Sequence, residues 1–233
     1  MKRILSVFFL CVILFSSVSS FYAAAENERR TAYRSVDCYG KVMALTFDDG
    51  PHPEKTARIL DILKKYGVKA TFFVVGENAV KHPELVIRET DEGHEVGNHT
   101  FSHRYYRKKE KELFENEIGK TNKLINGLTG KKCLLFRAPG GICDGYVVAA
   151  AEKRGMKLIL WNVDTRDWAG ESAEAIIKNV KKNAGSGSIV LFHDHTSSKC
   201  HTEEALEILI PYFLEKGYSF LTVSELISLD NRT

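Results

Sequence analysis

Two rhythms of apolar and polar residues alternate along this chain. Short runs at Val42–Phe47, Ala70–Val75, Glu95–Gly97, Leu134–Arg137, Leu158–Val163, Ser188–Phe192 and Ser219–Val223 predict seven strands. Between them, apolar residues recur at helical spacing. Glu54–Tyr66 places Ile59, Leu60, Leu63 and Tyr66 on one face and ends at Gly67. Pro83–Thr90 opens with proline in its first turn. Lys109–Leu128 carries Leu113, Phe114, Ile118, Thr121, Leu124, Ile125 and Leu128, and Gly130 stops it. Tyr146–Arg154, Ser172–Lys182 and Glu203–Lys216 complete the helices, with Pro211 expected to kink or split the last.

Strands that alternate with helices imply a parallel sheet. Closed, it would be an incomplete relative of the eight-stranded barrel; open, it would be doubly wound. Most clusters of unusual polar residues directly follow a strand. In both architectures that edge carries active sites. No internal repeat and no second domain boundary is visible.

The N-terminus changes the picture of charge and compartment. Lys2 and Arg3 precede an apolar run from Ile4 to about Val18, then Ser19-Ser20 and Ala23-Ala24-Ala25. Residues 1–25 read as a secretory signal peptide, with an uncleaved N-terminal anchor as the alternative. Residues 26–40 read as a polar linker and 41–233 as one catalytic domain. Lys2 and Arg3 supply two of the formal net +3 charges, so the basic balance gives no argument for a nucleic-acid partner. No later apolar run is long enough to span a membrane. Cys38, Cys133, Cys143 and Cys200 remain beyond the leader, an even number that permits disulfides in an exported protein, with Cys133–Cys143 the first pair to test. No Cys-x-x-Cys pair points to a four-thiolate zinc site.

The candidate chemistry begins at Asp48-Asp49-Gly50-Pro51, where an apolar strand ends in two carboxylates. Adjacent carboxylates repel each other, which points to a cation or an acid/base pair; the bland reading is a polar turn. His99 and His103 stand four apart, and on one helical turn both imidazoles would converge. With a carboxylate from Asp48-Asp49 they make a two-His, one-carboxylate set that leaves positions for water and substrate. Arg137, held by Pro139 and Gly140, could fix a carboxylate through paired hydrogen bonds. His193 ends another buried strand and suits a general acid, with a nearby carboxylate raising its pKa and fixing its tautomer. His82, His94 and His201 read as surface residues; His52 and His195 adjoin the motifs without an assigned role.

Five segments in order resemble the polysaccharide deacetylases of the NodB-homology type, carbohydrate esterase family 4: Thr46–Pro51, His99–His103, Arg137–Gly140, Asp164–Trp168 and Leu191–Asp194. The resemblance spans about residues 40–227 and implies an α/β fold, a distorted (β/α) barrel with about seven parallel strands. It implies that Asp49, His99 and His103 bind a divalent metal, usually zinc, with cobalt or another ion an alternative. Asp48 resembles the general base, Arg137 the residue that orients it, His193 the general acid and Asp167 the group that tunes it. Pro139, Gly140, Trp168 and Leu191 resemble substrate-contacting positions, the last two as walls for the acetyl methyl. In many members the residue after the proline is aromatic; here it is Gly140. The implied activity is hydrolysis of N-acetyl groups on N-acetylglucosamine units of peptidoglycan by a secreted or cell-wall-associated monomer. A chitooligosaccharide deacetylase, an acetylxylan esterase or a catalytically silent glycan-binding module are the alternatives.

Overall fold

The computed structural model describes residues 32–195 and 200–231. The expected leader, residues 1–25, lies outside the described residues. In chain order the elements are β1 (Ala32–Tyr33), β2 (Val42–Asp48), α1 (Lys55–Tyr66), β3 (Thr71–Val74), α2 (Gly76–Lys81), α3 (Pro83–Asp91) and β4 (Glu95–Asn98). There follow α4 (Lys111–Thr129), β5 (Leu135–Phe136), α5 (Gly145–Glu152), β6 (Lys157–Ile159) and β7 (Val163–Asp164). The chain then forms α6 (Ala173–Asn183), β8 (Ser188–His193), α7 (Thr202–Glu215), β9 (Ser219–Phe220) and α8 (Val223–Ile227).

The strands form one curled sheet in the order β1-β6-β5-β4-β3-β2-β8-β7, with β9 also beside β2. These strand pairs are all parallel. β9 pairs with Val42 and Met43 at the start of β2, and β3 with Thr46, Phe47 and Asp48 at its end. The sheet has nine strands among the described residues rather than about seven. The run Leu158–Val163 divides into β6 and β7, and residues 32–33, expected to lie in an irregular linker, pair with β6 as β1.

Side chains alternate across the sheet. Met43, Leu45 and Phe47 face the larger core beneath the helices, where Phe47 stacks on Phe72 and Phe192 at 5.0 and 5.7 Å. Truncating a fully buried Phe of this kind costs about 3–5 kcal/mol. Ala44 faces a smaller inner cluster with Phe73, Leu135, Ile159 and Ile189. The same alternation sends Thr46 and Asp48 to the inner face, at the level where chemistry can begin.

Helix ends follow local signals. Gly67 and Gly130 take left-handed φ values of 65° and 66° and close α1 and α4. Ser172 caps α6 by accepting the Ala175 N–H at 3.3 Å. α7 runs unbroken through Pro211 rather than splitting there. Val223, expected to end the last strand, instead opens α8, because Thr222 and Glu225 form a capping box.

Candidate active site

The strand ends lie side by side. Asp48, the last residue of β2, is in register with His193, the last of β8. Asn98 ends β4 in register with Phe136 of β5, so His99 and Arg137 emerge together. All four segments reach the C-terminal edge of the sheet.

Beyond Asp48 the backbone turns through Asp49 at φ 78°, a left-handed conformation uncommon for aspartate. The turn is pinned from several sides. Asn78 donates its Nδ2–H to the Asp49 carbonyl at 2.8 Å, and Val75 donates its N–H to the Gly50 carbonyl at 2.9 Å. A Cβ on Gly50 would collide with the Asp194 carboxylate, so only glycine fits there. The two adjacent carboxylates consequently take different partners.

Asp48 is buried and belongs to Arg137. Arg137 Nη1 donates to Asp48 Oδ1 at 2.6 Å and to Thr46 Oγ1 at 2.9 Å. Its Nε and Nη2 donate to the carbonyls of Ile159 and Leu160 at 3.2 and 3.0 Å. The guanidinium is fully buried, 4.1 Å from the Phe73 ring centroid. These four contacts come from β2 and from the end of β6, and they fix Asp48 with Oδ1 engaged; Oδ2 lies 3.7 Å from His99 Nε2.

Asp49 belongs to the histidines. Its Oδ1 lies 3.3 Å from His99 Nε2 and 3.1 Å from His103 Nε2, and the three ligand atoms all fall within 4.8 Å of one another. That buried oxygen takes no well-directed hydrogen bond. His99 Nδ1 is 2.7 Å from the Arg137 carbonyl. A carbonyl only accepts, so Nδ1 carries the proton and Nε2 offers its lone pair to the cluster. An orphaned carboxylate oxygen facing two imidazole nitrogens suits a divalent cation of the zinc or cobalt type. Burial would raise the Asp49 pKa, but contact with His99 and the charges of the surrounding histidines bring it down to about 2. The histidines do not sit on a helix, as their spacing predicted. They lie in an irregular loop with Thr100 and His103 at φ 68° and 53°, and Glu117 holds it by accepting the Phe101 and Ser102 N–H groups at 3.1 and 2.7 Å.

At the end of the neighbouring strand, His193 Nδ1 donates to Asp167 Oδ1 at 2.8 Å, and the His193 backbone N–H donates to Asp167 Oδ2 at 2.8 Å. Asp167 is fully buried and also accepts from Thr202 Oγ1 at 2.6 Å and the Trp168 N–H at 2.8 Å. Burial lowers the His193 pKa, yet the Asp167 hydrogen bond and charge, with Asp48 and Asp49, push it up to about 9. Asp194, next in the chain, turns away from the site. It accepts from Thr56 Oγ1 at 2.5 Å, and burial pushes its pKa up to about 7.

The remaining expected residues line the surroundings. Leu191 is buried on the same face of β8 as His193, Trp168 is half-exposed beside Asp167, Pro139 is buried, and Gly140 is exposed at φ 65°. Thr202 and Glu117, which hold Asp167 and the histidine loop, had no signal beyond their helical context. His94 is buried rather than superficial, accepting the Ala70 N–H at 3.1 Å, and burial brings its pKa down to about 4. Among the described residues Cys38, Cys133, Cys143 and Cys200 are thiols, and the Cys133–Cys143 disulfide is not formed. Cys133 is buried where the chain enters β5, whereas Cys143 follows the turn beyond its other end.

The polysaccharide deacetylase family model matches residues 36–159. The chain is 42% identical over 189 residues to a peptidoglycan-N-acetylglucosamine deacetylase of Bacillus cereus, across 80% of this chain and 88% of that protein. A solved peptidoglycan N-acetylglucosamine deacetylase, in complex with 4-naphthalen-1-yl-N-oxidanyl-benzamide, has a TM-score of 0.80 at 37% identity, over 86% of this chain and 94% of that one. A family 4 pseudoenzyme from Bacillus anthracis has a TM-score of 0.77 at 32% identity, over 84% of this chain and 68% of that one. Fold and similarity together define a hydrolase acting on amide bonds. The chain belongs to the polysaccharide deacetylase family, carbohydrate esterase family 4. Asp167 and His193 lie beyond the segment matched by the family model, and the sheet register brings them to the same edge.

Proposed function

We propose that this chain is an extracytoplasmic, metal-dependent deacetylase that removes N-acetyl groups from N-acetylglucosamine units of peptidoglycan. The observation that carries the reading is that two separate ion pairs, Arg137–Asp48 and Asp167–His193, end neighbouring strands next to the Asp49–His99–His103 cluster. The similarity to peptidoglycan deacetylases supports the substrate class, and the leader-like N-terminus supports export.

Asp49, His99 and His103 would hold a divalent cation, zinc or cobalt, whose positive charge would polarise the acetyl carbonyl and acidify the attacking water. Asp48 accepts the proton of that water through Oδ2, because Arg137 occupies Oδ1. Water oxygen bonds to the carbonyl carbon, and the C–N bond then breaks. His193, with Nδ1–H committed to Asp167, donates the Nε2 proton to the departing nitrogen. The products are acetate and the free amino sugar. The Gly140 backbone N–H assists the developing oxyanion, while Trp168 and Leu191 receive the acetyl methyl.

Acetate release from peptidoglycan, chitooligosaccharide and acetylated xylan, measured after metal removal and after zinc or cobalt addition, tests this reading. Metal-dependent release with peptidoglycan preferred is expected. Preference for either other substrate reassigns the glycan, and glycan binding without acetate release under every metal identifies a silent module.

A further inference from the structure

An exposed aromatic residue stands beside His103 and Gly140. Tyr105 is 64% exposed, its ring 6.2 Å from the His103 ring and nearly perpendicular to it at 71°. A Cβ built on Gly140 would have Tyr105 Cε1, Oη and Cζ as its three nearest neighbours, at 2.8, 3.0 and 3.3 Å. The Tyr105 ring therefore occupies the space that a side chain at position 140 would enter.

A lone exposed tyrosine is ordinary; this one is held in place. The neighbouring Tyr106 is buried with its ring 5.9 Å from that of Phe114, and Tyr146 donates its hydroxyl hydrogen to the Tyr106 carbonyl at 2.6 Å. Glu117 anchors the other end of the loop through Ser102, accepting its hydroxyl hydrogen at 2.8 Å. The ring is thus presented from a braced backbone, which reduces the ordering cost of binding.

We propose that Tyr105 is a specificity-determining glycan contact, its ring packing against the C–H-bearing face of the N-acetylated pyranose whose acetyl group enters the site. Pyranose rings combine one or more apolar C–H faces with polar edges, and tyrosine offers a rigid apolar ring with a polar tip. Glycine at 140 leaves room for the ring to approach the backbone there. This inference rests on the deacetylase reading.

The test compares wild type, Tyr105→Ala and Tyr105→Phe, each metal-loaded, on chitotetraose and on 4-nitrophenyl acetate, an acetyl donor without a sugar. The ratio of kcat/KM on the glycan to that on the ester should fall about tenfold or more in Tyr105→Ala, through KM, and stay near wild type in Tyr105→Phe. Titration calorimetry with chitotetraose in an Asp48→Asn background should show a matching rise in Kd for Tyr105→Ala. An unchanged ratio and Kd in Tyr105→Ala overturn the proposal, as does Tyr105→Phe behaving like alanine, because the ring face would then not be the contact. If wild type releases no acetate from any substrate, the enzymatic reading fails, while the calorimetric comparison still decides the role of Tyr105.

Discussion

Replacing Asp167 by asparagine removes one charge from a site where every oxygen lone pair is in use. Asp167 Oδ1 faces His193 Nδ1 and the Trp168 N–H, and Oδ2 faces the His193 N–H and the Thr202 hydroxyl. These partners are donors, so the amide group of asparagine meets a mismatch in either orientation. In wild type, His193 titration is displaced from its ordinary 6.5 to about 9. At about 1.4 kcal/mol per pH unit, the imidazolium is favoured by on the order of 3 kcal/mol. A folded-state pKa above the unfolded one contributes stability fully present below pH 6.5 and lost as pH rises through about 9. We predict that metal-free Asp167→Asn loses most of this pH-dependent stability and a further 1–3 kcal/mol, roughly, from buried donors left without an acceptor. In the metal-loaded enzyme, the cation offsets the contributions of Asp48 and Asp49, and the wild-type-to-mutant difference isolates Asp167. The alkaline limb of the kcat/KM profile should fall by about one pH unit or more. Urea unfolding between pH 6 and pH 10, beside pH–rate profiles, measures both. A limb and a stability profile that match wild type would refute the assignment of Asp167 as the partner of a protonated His193.

Other expected outcomes follow from the same geometry. Asp49→Asn, His99→Ala and His103→Ala should lose bound metal by elemental analysis, whereas Asp48→Asn should keep it and lose about 100- to 10,000-fold in turnover; metal loss in Asp48→Asn alone would reverse the two aspartates. Arg137→Met should destabilise the fold by about 3–5 kcal/mol in denaturant titration by leaving a buried carboxylate unpaired, and adding Asp48→Leu should recover much of that loss. Chelation should abolish acetate release, and zinc or cobalt should restore it; full activity in metal-free protein would sink the metal assignment.

What was legible in the sequence was local. β2 announced itself because Met43, Leu45 and Phe47 needed one core while Asp48 ended the run, and the polar residues after each strand marked the edge where chemistry gathers. β5 and β9 have only two residues each but fall within readable apolar runs, whereas residues 32–33 lie in a polar stretch and 163–164 continue the apolar run of β6, so neither reads as a separate strand. The histidine pair was placed on a helix because spacing is readable, whereas left-handed φ at Thr100 and His103, without glycine, is not. The capping box at Thr222 and Glu225 shortens the strand expected over Ser219–Val223. The motif resemblance paired Asp167 with His193, but the Thr202 hydroxyl joins Asp167 from 35 residues further along the chain, so no local pattern could reveal that partner.

The register between β2 and β8 has a consequence for how such a chain can diversify. Asp48 and His193 are in-register neighbours in the sheet, so the spacing between the proposed proton acceptor and proton donor is inherited from the peptide backbone itself. Tyr105, Gly140 and Trp168 sit on loops and short turns outside that ladder. Loop sequences can therefore drift toward a new glycan while the proton chemistry stays at its original spacing, with recognition and reaction varying on separate parts of the molecule.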